Sequence, residues 1–323
     1  MELISRIDPT ENRLYFRGLD ATELAKTTDY ESVLYLLIHG KLPTINQRTR
    51  LIRRMTQLRN LNVGGIESLD LLIDRISELR EKHRLDLHDT LLAYVTLCPF
   101  VVAAQYVKSQ FHEREEADRK LDHVANFLWM TKGVIYEESE IRDFQTALIL
   151  PMDDPDNPSL SALTLALKNG DELDALREAL KEHVGPLHHG AGTLAMAMFE
   201  EIKEPDRVHE YLRKRLESGN KIFGLGHRIY SGLDPRAIVL RGVLEKRARR
   251  SGLDWLIQVS DAVAREGRKL LADYKGIDAY PNIDLYNAAV FFTFGYPAEL
   301  NTSLFAISRA AGWMAHILEL KSG

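Results

Sequence analysis

The sequence is poor in the residues that build disulfides and metal centres. Its 323 residues include one cysteine, Cys98, which excludes an intramolecular disulfide and a cysteine-based zinc site. Cys98 lies in an apolar run, where a buried, inert thiol is more common than a nucleophile. Neither a His-Glu-x-x-His segment nor a pair of cysteines occurs, so we expect no metal site. So little cysteine is also typical of a protein of the reducing cytosol.

An excess of positive charge is lacking as well. The chain has 42 lysines and arginines against 47 aspartates and glutamates, and its formal net charge is −5. Nothing at this level favours nucleic acid or an anionic membrane, and we expect neither as a partner. The composition, 45% apolar and 28% charged, is that of an ordinary folded protein, and the length allows two domains.

Long apolar runs are scarce. The longest, Leu91 to Val107, contains Pro99, which we expect to break it, and it is shorter than the roughly 20 residues that span a bilayer. It predicts a buried helix. The first residues include Glu2 and Arg6 and lack the apolar core of a signal peptide. We therefore predict a cytoplasmic protein.

Helical spacing of apolar residues dominates the chain, whereas strand-like alternation is rare. Residues 4–7 and 13–16, joined by Asp8-Pro-Thr-Glu-Asn12, form the only plausible hairpin. Three prolines within residues 151–158 must interrupt the helices and indicate a loop inside a domain. We predict an all-α protein with a small β hairpin at its start. The clearest helical segments are 47–58, 66–79, 172–180 and 207–216.

A turn with two glycines places a histidine close to arginine. Gly224-Leu-Gly-His227 is followed by Asp234-Pro-Arg236. The glycines can take positive φ and let a ligand approach the backbone, and His227 can polarise a carbonyl or move a proton. Arg236 can bind a carboxylate through two parallel hydrogen bonds. The pattern indicates a site for a small anion, although a plain loop between two helices explains it equally well.

Two further segments place ionisable groups where a loop meets a helix. Gly185-Pro-Leu-His-His-Gly-Ala-Gly192 holds His188 and His189, and Pro281-Asn-Ile-Asp-Leu-Tyr286 holds Asp284. A histidine just before a helix lies near the positive end of the helix dipole, which favours a neutral imidazole able to donate one hydrogen bond. The structural alternatives stay open: the histidines can fill a helix junction, and Asp284 can be a cap or first-turn residue.

Together and in this order, four motifs resemble the citrate synthase family. The start of the chain, Ile4-Ser-Arg-Ile-Asp8 and Leu14 to Ala25, looks like the opening hairpin of its bacterial and archaeal branch. The resemblance implies a mostly helical dimer whose smaller domain closes over substrate. The large domain would comprise residues 1–189 and 289–323 and the small domain residues 190–288. The motifs are 185–188, 224–228 with 234–236, 281–286, and Phe305-Ala-Ile-Ser-Arg-Ala-Ala-Gly-Trp-Met-Ala-His316.

The resemblance implies condensation of acetyl-CoA, or another short acyl-CoA, with oxaloacetate to give citrate and CoA, without a permanently bound cofactor. Carried over by motif, Asp284 would take the methyl proton of the thioester. A neutral His188 would hydrogen-bond the enolate, and His227 would polarise the ketone of oxaloacetate.

The remaining site residues implied by the resemblance bind rather than react. Arg236 and Arg309 would hold the carboxylates of oxaloacetate, and arginine suits this task because it cannot lose its charge. The turn formed by Gly224, Leu225 and Gly226 would lie against the adenine of CoA.

The chain departs from the family pattern at several places. Asp154 stands where a histidine that contacts oxaloacetate is usual, and like charges about 4 Å apart repel by roughly 4 kcal/mol at an effective dielectric of about 20. Gly192 replaces a common asparagine, and His189 replaces a glycine. Because the sequence ends at Gly323, we expect the family's C-terminal arm, with an arginine for the partner's active site, to be absent.

These departures leave three interpretations. The protein is an active acyltransferase, a member with another acyl-CoA or acceptor, or a catalytically silent paralogue that acts as a binding or regulatory partner. A homodimer is expected, or a heterodimer with a complete citrate synthase that supplies the arginine. The retention of five site residues favours a catalytically active protein; they are His188, His227, Arg236, Asp284 and Arg309. A nucleotide-binding enzyme of another family would need a parallel strand before a glycine loop, which is not visible.

Overall fold

The computed structural model describes residues 2–61, 64–110, 114–185, 190–227, 229–230 and 232–322. Within them the fold consists of fifteen α-helices and a small sheet, with 3-10 turns at Pro205–Arg207 and Ala298–Leu300. The helices are α1 (Ala21–Thr27), α2 (Tyr30–His39), α3 (Ile45–Arg59), α4 (Leu69–His83), α5 (Leu87–Ser109), α6 (His123–Lys132), α7 (Glu138–Ile149), α8 (Pro158–Asn169), α9 (Glu172–Val184), α10 (Ala191–Ile202), α11 (Val208–Glu217), α12 (Pro235–Ser251), α13 (Asp254–Lys275), α14 (Ile283–Thr293) and α15 (Asn301–Ser322).

The predicted N-terminal hairpin is confirmed and is extended by a third strand. The strands β1 (Ser5–Asp8), β2 (Arg13–Phe16) and β3 (Leu19–Asp20) lie in that order in one sheet, and β2 pairs with β3 in antiparallel fashion. Between β1 and β2, Asp8 Oδ1 accepts hydrogen bonds from the backbone N–H groups of Thr10 (3.0 Å) and Glu11 (3.1 Å). Two residues are too few for β3 to leave a periodic signal in the sequence.

The helices begin where the sequence offers caps. Asp29 accepts from the backbone N–H of Ser32 at the start of α2, and Thr44 and Gln47 form a reciprocal capping box at the start of α3. The four predicted helical segments are confirmed as parts of α3, α4, α9 and α11. Helix α4 begins at Leu69, later than predicted, because Ser68 caps it.

Helix α5 is the central buried helix, and our expectation that Pro99 breaks it is wrong. The helix runs without interruption through Pro99. A proline removes one backbone hydrogen bond, but α5 is packed on all sides, and that packing holds the helix together. By length and composition α5 alone among the described helices could cross a membrane, yet 89% of its most apolar window is buried. A buried helix at this position was predicted and is confirmed.

The chain forms two compact units. The first comprises residues 1–6, 15–187 and 303–323, and the second comprises residues 7–14 and 188–302. In the first unit α8 packs against α9, and α5 packs against α3, α4 and α6. In the second unit α14 packs against α10 and α12, and α11 packs against α13. The loop at residues 151–158 lies within the first unit, as predicted; the predicted boundaries of the small domain stay a prediction.

Candidate active site

The glycine turn of the second unit has a backbone that other residues adopt only with strain. Gly224 has φ of +80° and Gly226 has φ of +87°. A Cβ on Gly224 would lie 2.7 Å from Leu285 Cδ1 and 2.8 Å from Leu285 Cα, closer than real side chains approach. The first glycine is therefore required both by its conformation and by its contact with the start of α14.

Backbone hydrogen bonds join this turn to the segment that precedes α14. Gly226 N–H donates to the carbonyl of Tyr280 (2.7 Å), and Asn282 N–H donates to the carbonyl of Gly224 (3.0 Å). Leu225 and Pro281 form an isolated antiparallel bridge. The motifs at 224–227 and 281–286 are far apart in sequence, but their backbones are hydrogen-bonded to each other.

His227 follows the turn and has both ring nitrogens in defined contacts. Nδ1 accepts from the backbone N–H groups of Ile229 (3.2 Å) and Tyr230 (3.3 Å), so the proton of a neutral ring belongs on Nε2. Nε2 lies 3.2 Å from Arg236 Nη2, a group that only donates hydrogen bonds. The ring also packs on that of Tyr230, with centroids 4.5 Å apart. With its proton on Nε2, a neutral His227 can offer a hydrogen bond to a carbonyl oxygen when Arg236 Nη2 donates to another acceptor instead.

Arg236 is buried and is held by a carboxylate of its own helix start. Asp234 Oδ1 accepts from Arg236 Nε (3.0 Å) and Oδ2 accepts from Nη2 (3.0 Å). Asp234 also caps α12 and accepts from the backbone N–H of Ile283 (3.2 Å), which links α12 to α14. Its role was not predicted, although aspartate before proline at a helix start is a recognisable capping signal.

Asp284 lies in the first turn of α14 and is not its cap. The cap is Asn282, whose side-chain oxygen accepts from the backbone N–H of Asp284 (3.0 Å). The Asn282 amide also donates to the carbonyl of Gly226 (2.8 Å). One asparagine therefore fixes the helix that carries Asp284 to the turn that carries His227, a connection that the sequence motif alone did not reveal.

The first motif is described only in part. His188 and His189 lie outside the described residues. Gly192 lies in α10, and a side chain there would collide with the amide of Asn301 and approach Ala288 Cβ to 3.4 Å. The side chain of Asn301 thus fills the space beside Gly192. The asparagine that the family commonly has at position 192 would need that space.

The first unit contains Arg309, in the middle of α15 and 3% exposed. Its charge acts on Asp153, in the proline-rich loop before α8. Gly312, one turn later, allows this loop to approach, because a Cβ there would lie 2.7 Å from Asp153 Oδ1.

Asp153 was not predicted and proves to be a buried centre of polar contacts. Ser5 Oγ donates to Asp153 Oδ2 (2.5 Å), and His316 Nε2 lies 2.8 Å from the same oxygen. Burial alone would raise the pKa of Asp153. The charge and hydrogen bond of His316, with help from Arg309 and Ser5, outweigh burial and hold that pKa below its usual range.

Asp154, the residue that departs from the family pattern, is 8% exposed. Its Oδ1 accepts from the backbone N–H of Asp156 (3.2 Å), which stabilises the turn of its own loop. A role in that turn is therefore established for Asp154 independently of any contact with substrate.

The structure thus joins Gly224, Leu225, Gly226, His227, Arg236 and the helix of Asp284 in the second unit and places Arg309 in the first. Among the described residues there is no group of three or more His, Cys, Asp or Glu side chains suited to a metal ion. The second unit brings together an imidazole, a buried guanidinium and the helix that carries the carboxylate of Asp284. Such a set of groups can polarise a carbonyl, bind an anion and accept a proton.

Comparison with known proteins agrees with this chemistry. The family model described as "Citrate synthase, C-terminal domain" matches residues 2–323. Citrate synthase of Haloferax volcanii is 31% identical over 98% of this chain and 88% of its own length. Citrate/2-methylcitrate synthase of Bacillus subtilis (strain 168) is 29% identical over 98% and 88%. The crystal structure of citrate synthase from Thermotoga maritima MSB8 matches with a TM-score of 0.83 and 33% identity, over 98% of this chain and 87% of that one.

Proposed function

The chain belongs to the citrate synthase family, and we propose that it condenses a short acyl-CoA, acetyl-CoA or propionyl-CoA, with oxaloacetate to release CoA and citrate or methylcitrate. One observation carries the proposal: the turn at residues 224–227 is joined to the segment before α14, and His227 Nε2 lies 3.2 Å from Arg236 Nη2. The names of its relatives, citrate synthase and citrate/2-methylcitrate synthase, support both products.

In the proposed reaction the base is Asp284. Its carboxylate removes a proton from the carbon next to the thioester carbonyl, and a neutral His188 donates a hydrogen bond to the enolate oxygen that develops. Both groups are needed, because a C–H group next to a thioester carbonyl is a weak acid and the enolate requires a partner for its charge.

The second half of the proposed reaction uses His227. The enolate carbon attacks the ketone of oxaloacetate, and the ketone oxygen takes the proton from His227 Nε2 as it becomes a hydroxyl. Water then attacks the thioester carbonyl of the product, the carbon–sulfur bond breaks, and CoA leaves as its thiol. Closure of one domain on the other would exclude water until that step.

Arginines and the glycine turn would bind the two substrates. Arg236 and Arg309 would hold the carboxylates of oxaloacetate, and the turn of Gly224, Leu225 and Gly226 would lie against the adenine of CoA. The support for Arg236 is its fixed position: two of its nitrogens are held by Asp234, so its guanidinium is oriented before substrate arrives.

We further propose a cytoplasmic homodimer, with a heterodimer containing another citrate synthase chain as the alternative. The single cysteine is buried, which is compatible with a reducing compartment. Purification from the native source followed by mass spectrometry distinguishes the assemblies. One kind of chain indicates the homodimer, and a second citrate synthase chain in equal amount indicates the heterodimer.

A second candidate function is favoured by Asp154. A buried carboxylate in the loop before α8 adds negative charge to the unit that carries Arg309, and this is unfavourable for a dianionic acceptor. The second candidate is therefore a paralogue that uses another acceptor or that is catalytically silent.

The test is release of free CoA thiol from acetyl-CoA and propionyl-CoA, with and without oxaloacetate. We expect release only with oxaloacetate, a loss of at least about a hundredfold in Asp284→Asn, and no loss in the exposed control Asp273→Asn. Release that survives Asp284→Asn would refute the assigned base. No release with either thioester from the folded protein would favour the second candidate.

A further inference from the structure

Lys132 is a half-buried lysine in the last turn of α6, outside the candidate active site. Its ammonium nitrogen Nζ donates to the hydroxyl oxygen of Tyr106 (2.5 Å), a residue of α5 that is 7% exposed. The same nitrogen lies 4.1 Å from the centroid of the Tyr106 ring, in a cation–π contact. These two contacts hold the end of a side chain that is usually mobile.

Other lysines of the described chain have more polar surroundings. Lys108, also on α5, is 71% exposed and forms an ion pair with Glu67 (2.9 Å). Lys181 and Lys214 are exposed too, and each is paired with a glutamate. In such pairs the carboxylate and the surrounding water both stabilise the ammonium form. The phenol ring and hydroxyl that contact Lys132 stabilise this form less well.

The charges near Lys132 belong to the segment that packs on the end of α6. Glu115 N–H donates to the carbonyl of Met130 (3.3 Å), and Arg114 Nη1 lies 3.7 Å from Met130 Sδ. A Cβ on Gly133 would lie 3.5 Å from Glu115 Oε1, so this carboxylate is close to the helix end. The charges of Arg114 and Glu115 have opposite signs and largely offset each other at the amine.

Burial therefore decides the protonation of Lys132. It lowers the pKa of the amine from 10.5 to about 8. Near pH 8 about half of these amines are neutral, whereas an ordinary lysine is neutral in only roughly 0.3% of molecules. A neutral lysine amine that still reaches solvent is a nucleophile.

We propose that Lys132 is a site of covalent acylation by acyl thioesters such as acetyl-CoA. The neutral nitrogen attacks the carbonyl carbon of the thioester, a carbon–nitrogen bond forms, and the carbon–sulfur bond breaks. The thiolate leaves and takes up the proton that the nitrogen loses, for which the Tyr106 hydroxyl offers a path. The products are an amide on Lys132 and one free thiol.

The folded protein can accommodate the product. The amide is neutral, so acylation removes the charge whose burial is unfavourable. We therefore expect the acylated protein to remain folded. The reaction uses none of the residues assigned to the condensation, and it does not depend on the proposed function.

Mass spectrometry of peptides after incubation with isotopically labelled acetyl-CoA, without oxaloacetate, tests the proposal. Near pH 7.5 we expect Lys132 to be acylated about fivefold or more faster than Lys108. The rate at Lys132 should level off above about pH 8, while the rate at Lys108 continues to rise. In urea the two lysines should react at similar rates, because unfolding exposes both to water. Lys132→Arg should remove the label from its peptide and leave that of Lys108 unchanged.

A second thioester, S-acetyl-N-acetylcysteamine, lacks the nucleotide of CoA and should show the same preference for Lys132. A preference seen with acetyl-CoA alone would overturn the proposal, because the selectivity would then come from binding of the nucleotide and not from the amine. Equal rates at Lys132 and Lys108 in the folded protein would overturn it as well. So would a rate at Lys132 that rises with pH in parallel with that at Lys108.

Discussion

His316 Nε2 lies 2.8 Å from Asp153 Oδ2, within a contact group that joins three distant parts of the first unit. Ser5 belongs to the first strand, Asp153 to the loop before α8, and His316 to the helix that carries Arg309. Because Asp153 is 1% exposed, its charge must be balanced by these neighbours. The group therefore holds α15 to the loop that contains Asp154.

Asp153→Asn is expected to lower the free energy of unfolding by about 3 kcal/mol near neutral pH, because it removes one partner of a buried pair. The lowered pKa of Asp153 adds stability above the unfolded value of 3.8, and this stability is lost as the pH falls through the folded pKa. The difference between wild type and variant should therefore shrink in acid. Urea unfolding of both proteins at neutral and acidic pH measures it.

The control for this experiment is Asp156→Asn, in the same loop. A difference between wild type and Asp153→Asn that stays constant from neutral to acidic pH would show that the folded protein does not lower the pKa of Asp153.

Gly224→Ala is expected to destabilise the protein by roughly 2–5 kcal/mol, the sum of strain at positive φ and overlap with Leu285. The matched control is Gly219→Ala: its φ is +74°, but nothing lies within 4 Å of the added Cβ, so about 1–2 kcal/mol is expected. Thermal unfolding compares the two. Equal losses would mean that the contact with Leu285 contributes nothing.

Sequence reasoning predicted the elements of the fold better than their connections. Helical periodicity marks α3 and α9 because this signal is local. Pro99 misled us, because the tertiary packing that holds α5 together across a proline is not visible in the sequence.

At the candidate site the sequence indicated the reactive residue types, and the structure supplied their supports. Asp234 and Asn282 each act twice, as a helix cap and as a link between segments about 50 residues apart. Only the capping role has a local signature. Asp153 carried no signal at all, because its partners, Ser5 and His316, lie more than 140 residues away in both directions.

Glu31→Gln is expected to stabilise the protein more at high pH than at low pH. Glu31 is fully buried; burial and then the charge of Asp122 raise its pKa from 4.5 to about 7. Between these values the folded state holds a proton that the unfolded state releases, so the stability of the wild type falls as the pH rises. The advantage of the variant should grow by roughly 3 kcal/mol between about pH 4.5 and about pH 7.

Urea unfolding across that pH range measures the effect of Glu31→Gln. Glu178→Gln, at an exposed position in α9, serves as the control and should show no such slope. A constant difference between Glu31→Gln and wild type would mean that Glu31 is ionised in the folded protein throughout.

Asp234→Asn tests whether the hydrogen bonds between Asp234 and Arg236 contribute to substrate binding. The substitution keeps the shape of the side chain but removes the charge that orients Arg236 Nε and Nη2. If Arg236 holds a carboxylate of oxaloacetate, the Kd of oxaloacetate should rise about tenfold to a hundredfold, while the Kd of CoA changes little.

The control for Asp234→Asn is Asp261→Asn, which removes the carboxylate from the comparable pair with Arg241 (2.8 and 2.6 Å). Calorimetry measures both constants without requiring turnover, and circular dichroism verifies that each variant is folded. Equal weakening of both ligands would indicate a general distortion of the second unit, and unchanged binding of oxaloacetate would remove Arg236 from the acceptor site.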